Sequence, residues 1–173
     1  MIADPIGITF DDQGRLYATR TRRTGEGEID IRGHQDWMVP SITFKDVEDK
    51  RAFYHNVLAP ERSAQNQWLK DWNGDGSRDW RDLAFAKEGL YKIEDTNGDG
   101  VADKSTLILE DFNDLVSDTF HDILWYKGDL FATVSPDLWR LRDTNGDGVI
   151  DTKESLSHGS GVHIGFGGHG HSS

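Results

Sequence analysis

Cysteine is absent from the 173 residues. Its absence excludes disulfides, thiolate zinc sites and a c-type haem within this stretch, without identifying a compartment. No apolar run of about 18 residues occurs, so no transmembrane helix is encoded. Met1-Ile-Ala-Asp-Pro5 leads straight into strand-like sequence, and no signal peptide is expected there. Positive charge is scarce: 19 Lys and Arg against 31 Asp and Glu leave a net charge of -12. Phosphate binding needs a basic face, so nucleic acid is excluded as a partner. Also missing are a P-loop, a dinucleotide-binding fingerprint and a Ser-His-Asp signature.

Acid and glycine are what the chain has in quantity, and both concentrate in three copies of one pattern. These are Asp71-Trp-Asn-Gly-Asp-Gly-Ser-Arg-Asp79, Asp95-Thr-Asn-Gly-Asp-Gly-Val-Ala-Asp103 and Asp143-Thr-Asn-Gly-Asp-Gly-Val-Ile-Asp151. Calcium takes six to eight oxygen ligands at roughly 2.3–2.6 Å, and oxygens at alternate positions around a tight glycine turn supply them from one segment. In the third loop Asp143, Asn145 and Asp147 are expected to ligate through side chains, Val149 through its carbonyl, and Asp151 directly or through water. The first loop offers Asp71, Asn73, Asp75, Ser77, Asp79 and Asp82; the second offers Asp95, Asn97, Asp99, Val101 and Asp103. At the twelfth position, where an EF-hand places a bidentate Glu, stand Asp82, Thr106 and Glu154. Only the third loop satisfies the full pattern, and the second needs a ligand from elsewhere. A plain Asn-Gly hairpin turn would explain one such dipeptide. Carboxylates repeated at alternate positions repel one another unless a cation sits among them. Nothing resembles a sensor's paired helices, so structural ions are expected.

The loop flanks set the fold class. Gly89-Leu-Tyr-Lys-Ile-Glu94 and Asp137-Leu-Trp-Arg-Leu-Arg142 alternate apolar with polar residues, the pattern of half-buried strands, and Ser105-Thr-Leu-Ile-Leu109 is also strand-like. A short helix is expected to follow the first loop, from Asp79 onward. Loops two and three stand 48 residues apart, and the same offset aligns Leu90 with Leu138, Tyr91 with Trp139 and Ile93 with Leu141. Such a period suits propeller blades of four short strands. Two further phrases, Ile8 to Thr19 and Ile123 to Thr133, read as strand, glycine turn, strand.

The expected fold is therefore mainly β: a partial β-propeller of about two blades plus the start of a third, with a partly helical insertion. Blade one opens at Ile6, breaks off after Thr19 and resumes at Leu90; blade two runs from His121 to Leu156; a third opens at Val162. The repeated calcium-hairpin units occupy 89–119 and 121–157, followed by a Gly/His-rich end over 158–173. Closed propellers have 4–8 blades, so a piece of a longer protein is expected, with remaining blades as partners. Within the insertion, 20–88, the spacing of Val47, Phe53, Tyr54 and Leu58 predicts an amphipathic helix near 45–58 that Pro60 stops. Trp37, Trp68, Trp72 and Trp80 either line a ligand groove or pack.

Several phrases carry a family resemblance: Ala3-Asp-Pro-Ile-Gly-Ile-Thr-Phe-Asp11, Val47-Glu-Asp-Lys-Arg-Ala-Phe-Tyr54 with Leu58-Ala-Pro-Glu61, Trp68 to Asp82, and Pro136-Asp-Leu-Trp-Arg-Leu-Arg142 followed by His163-Ile-Gly-Phe-Gly-Gly-His169. Together they resemble the N-terminal propeller of the large membrane-bound dehydrogenases of planctomycete-type bacteria. Those proteins are similar to quinoprotein glucose and sorbosone dehydrogenases. The resemblance implies a six-bladed-type propeller, a periplasmic or extracellular location, and oxidation of sugars or related alcohols. It also implies pyrroloquinoline quinone as cofactor and a cytochrome c domain whose haem c receives the electrons. The chain departs from that pattern in having no Cys-x-x-Cys-His motif, so by itself it is expected to be incomplete as an enzyme. His121 and His163 are the catalytic candidates, as general bases near a central channel; the alternative is that they satisfy backbone groups at strand starts. His169 and His171 belong to the glycine-rich end. Two non-catalytic readings stand beside the dehydrogenase: a calcium-stabilised propeller that binds carbohydrate or protein, and a dockerin-like or EF-hand-like module, which requires helices after the loops.

Overall fold

The structure, a computed structural model, describes residues 5–165. His169 and His171 lie outside them. Among the described residues eight strands form two four-stranded antiparallel sheets, each a simple meander. The first contains β1 (Ile8–Phe10), β2 (Leu16–Arg20), β3 (Glu88–Glu94) and β4 (Lys104–Asp111); the second contains β5 (Phe120–Tyr126), β6 (Asp129–Val134), β7 (Asp137–Arg142) and β8 (Thr152–His158). The chain leaves the first sheet after Arg20 and re-enters beside it, with Arg20 opposite Gly89 and Leu16 opposite Ile93. The insertion is thus hung between two neighbouring strands and does not interrupt their ladder.

Strand alternation explains how the sheets stack. Tyr17, Leu90 and Ile108 from the first sheet meet Phe120, Leu130 and Leu141 from the second in one buried cluster. Full burial of a side chain such as Leu90, Phe120 or Leu141 contributes about 1.5–3 kcal/mol. The opposite faces are also apolar but lie open: Ile8 and Phe10 on β1 are 60% and 59% exposed, and Leu124 on β5 is 59% exposed. Each sheet therefore has the composition of an inner layer, with one face covered.

The insertion has its own core. Its main helix, Val47–Val57, starts where the Asp46 carboxylate accepts from the Asp49 N–H at 3.0 Å. It buries Val47, Lys50 and Tyr54, and Leu58 follows at the C-cap, fully buried. Trp37, Leu69, Leu83, Leu115 and Ile164 pack around Tyr54 and Leu58.

One expectation is corrected here. Val162–Gly165 form no strand, and the rest of the expected third blade, 166–173, lies outside the described residues. Ile164 is buried in the insertion core, where its N–H donates to Ser41 Oγ at 2.9 Å, and the Gly165 carbonyl accepts from Ile31 N–H at 3.1 Å. An isolated apolar residue in this segment finds the nearer core.

Candidate metal centres

All three acidic loops fold on the same hydrogen-bond frame. The opening aspartate of each spans the turn with both oxygens: Asp71 accepts from Gly74 and Gly76 at 2.7 and 2.9 Å, Asp95 from Gly98 and Gly100 at 2.7 and 2.8 Å, and Asp143 from Gly146 and Gly148 at 2.7 and 2.7 Å. Asn73, Asn97 and Asn145 each accept from the N–H two residues on at 2.9 Å. Asp75, Asp99 and Asp147 repeat the step at 2.8 Å, taking the N–H of Ser77, Val101 and Val149. Gly148 sits at φ +87°, a conformation that a Cβ would strain, which is why glycine recurs at this position. Loop two joins β3 to β4 and loop three joins β7 to β8. Only loop one runs into a helix, the single turn Trp80–Leu83, so the helix–loop–helix arrangement of an EF-hand is not formed.

Beyond the fifth position the loops diverge. Asp103 closes loop two by accepting from Thr96 N–H at 3.0 Å, and Asp151 closes loop three by accepting from Thr144 N–H at 3.1 Å. In loop one Asp82 takes that place, accepting from Trp72 N–H at 2.8 Å and Asn73 N–H at 3.2 Å while also completing a capping box with Asp79. Both residues are fully buried. Arg81 binds Asp79 at 2.6 Å and reaches Asp75 at 3.0 Å, so a guanidinium already bridges two of the expected ligands. Hydrogen bonding from Arg81, against the opposing effect of burial, holds Asp79 down at about 2. Glu154 is likewise engaged elsewhere: it pairs across β8 with Arg140 and lies 3.8 and 3.7 Å from Arg140 and Arg142. Strand geometry thus commits to the sheet the residue expected to complete loop three.

Among the described residues no three His, Asp or Glu side chains converge as a ready-made metal cage. Loops two and three each offer three Asp carboxylates together with one Asn amide and one backbone carbonyl. A carboxylate oxygen that accepts one N–H keeps a further lone pair, and an all-oxygen set suits a hard cation. On that chemistry Asp95, Asn97, Asp99, Val101 and Asp103, and likewise Asp143, Asn145, Asp147, Val149 and Asp151, fit calcium better than loop one does. Hydrogen bonds to the Gly100 N–H and to the Thr152 hydroxyl, respectively, hold Asp95 and Asp151 below the usual carboxylate range. Asp95 and Asp151 are therefore ionised at neutral pH.

The catalytic candidates are not brought to one site. His121, on β5, lies 3.6 Å from Asp118, whose carboxylate raises the imidazole pKa against the effect of burial. His163 is exposed and bonds through Nδ1 to the Ser41 carbonyl at 2.8 Å. Each serves its own neighbourhood.

Sequence reasoning missed a buried polar cluster between insertion and sheets. Glu88, fully buried at the start of β3, accepts from Thr21 Oγ1 at 3.1 Å, from Arg22 and Arg23 N–H at 2.9 and 3.0 Å, and from Phe120 N–H at 2.8 Å. Close by, Arg23, Lys50, Tyr54 and Asp118 line one cavity. Lys50 could have been flagged, since it falls on the same helical stripe as Val47 and Tyr54. Burial pushes its ammonium from 10.5 down to about 8, and the charge of Asp118 only partly opposes the shift. Between pH 8 and 10 the unfolded chain therefore binds more protons at this residue than the folded one, so this group makes stability rise with pH across that window. Above about 10 the buried Tyr54 hydroxyl, whose pKa is raised, acts in the opposite sense. Lys50→Met is expected to flatten the rise between pH 8 and 10 in urea unfolding; an unchanged slope would show that the ammonium is solvated.

The family comparison covers nearly this whole arrangement. A family model described as a domain of unknown function, DUF7133, matches residues 1–164. The chain belongs to the DUF7133 family. Searches of curated proteins and of solved structures return no significant match. The DUF7133 match spans both sheets, the insertion and all three loops. No described helix is long and apolar enough to cross a membrane.

Proposed function

We propose that this DUF7133 domain is a calcium-stabilised segment of a β-propeller, its acidic loops acting as hard-cation clamps at hairpin ends. The observation that carries the reading is the threefold repetition of one loop frame, with alternating oxygen donors around two glycines of positive φ. The open apolar outer faces of both sheets support the propeller part, because blades in such a ring are covered on both sides. Loops of this type bind at millimolar calcium in extracellular modules, which suits a periplasmic or extracellular setting.

On this reading the segment is scaffold. Oxidation of sugars or alcohols with pyrroloquinoline quinone, and electron transfer to haem c, belong to other parts of a longer protein if the resemblance to quinoprotein dehydrogenases extends to activity. His121 and His163 carry no catalytic role in the proposal.

Calorimetric titration with calcium tests it. Two sites of similar affinity, loops two and three, are expected, with loop one weaker because Arg81 must release Asp75 and Asp79. Magnesium, which demands near-ideal octahedral geometry, is expected to bind more weakly. Absence of heat at millimolar calcium would remove the proposal.

A further inference from the structure

We propose that the groove between Trp68 and Trp72 on the insertion binds a neutral carbohydrate. The groove encloses about 450 Å3, its mouth included, and is lined by Trp68, Leu69, Lys70, Trp72, Glu26 and Glu28. Trp68 is 47% exposed yet held in place: the His34 ring lies against it at 4.2 Å between centroids, and Trp37 meets it edge-on at 5.9 Å. A large aromatic ring fixed from behind and open in front is a stacking platform, and a half-exposed tryptophan carries apolar area that burial under a ligand would recover. The Trp72 main chain is anchored where its backbone N–H donates to Asp82 Oδ1 at 2.8 Å, and the Lys70 ammonium lies 3.5 Å from the ring centroid.

The charges around the rings select the ligand. Lys70 already covers a face of Trp72, so a second cation there meets repulsion. Glu26, which Arg22 pairs at 3.2 Å, and Glu28 line the groove with acceptor oxygens, which offer an anion no donor. A neutral polyol meets neither penalty: its C–H faces stack on indole, while its hydroxyls donate to carboxylates and accept from the ammonium. The site needs neither a bound calcium ion nor redox chemistry, although it adjoins loop one, to which Trp72 belongs, so the titrations are run at one fixed calcium concentration.

Cellotetraose, xylotetraose and mannotetraose, with tetramethylammonium and citrate as charged probes, are titrated against the chain by calorimetry and tryptophan fluorescence. At least one tetrasaccharide is expected to bind saturably. Trp68→Ala should weaken that binding at least tenfold and Trp68→Phe by less, while Leu124→Ser, on the outer face of β5, leaves it unchanged. Thermal melts establish that each variant is folded. The proposal is overturned if none of the three sugars binds, if only a charged probe binds, or if folded Trp68→Ala and Trp68→Phe both bind as the parent does.

Discussion

Glu88→Ala is expected to destabilise the domain by about 3–5 kcal/mol, the range for removing one partner from a buried, charged hydrogen-bond network. One carboxylate accepts four hydrogen bonds there, three of them from backbone N–H groups of Arg22, Arg23 and Phe120. Those donors belong to different parts of the chain: the start of the insertion and the first strand of the second sheet. Deletion strands all of them, along with the guanidinium of Arg23, which is 1% exposed and has Glu88 as its foremost opposing charge. Glu88→Gln keeps the shape and one acceptor oxygen, so it should cost less. Urea unfolding of both variants measures the difference; a loss below about 1 kcal/mol for Glu88→Ala would mean that water replaces the carboxylate and that the insertion is not anchored here.

The second large effect concerns loop three. Its Ile150 N–H donates to the Ile108 carbonyl of β4 at 2.8 Å, and just beyond it Lys153 is ion-paired with Asp111 at the end of β4. Loop three thus fastens the second sheet to the first, whereas loop two caps one hairpin. An ion at 100 times its dissociation constant stabilises a native-only site by about 2.7 kcal/mol. Asp143→Ala should remove that increment for loop three, roughly 5–10 °C of the calcium-induced shift for a chain of this size. Asp95→Ala should remove less of the global shift, because its ion fastens a hairpin end that can open alone. The quantity to compare is the calcium-dependent increment in each variant, since Asp143→Ala also loses the bonds to Gly146 and Gly148 without calcium. Equal increments in both variants would contradict the clamp.

Periodicity made the sheets legible. Leu90, Tyr91 and Ile93 aligned with Leu138, Trp139 and Leu141 because each set occupies the third strand of a four-stranded meander. The helix over Val47–Val57 followed from its apolar spacing and from Pro60. Contacts between distant parts of the chain were not legible. Asp82 reads as a ligand by position and folds as a cap, because a helix N-terminus three residues earlier also wants an acceptor. Glu154 reads as the last ligand, but β8 pairing sets it beside Arg140. Val162 reads as the opening of a blade, but Ile164 just after it is drawn into the insertion core. Glu88 gives no local signal, since its four donors come from positions at least 32 residues away.

The most direct test is a pair of thermal melts, one with excess calcium and one with chelator, followed by tryptophan fluorescence. Two filled sites predict an upward shift of about 10 °C or more in calcium. Coincident melts would contradict the calcium reading and leave the three loops as acidic turns.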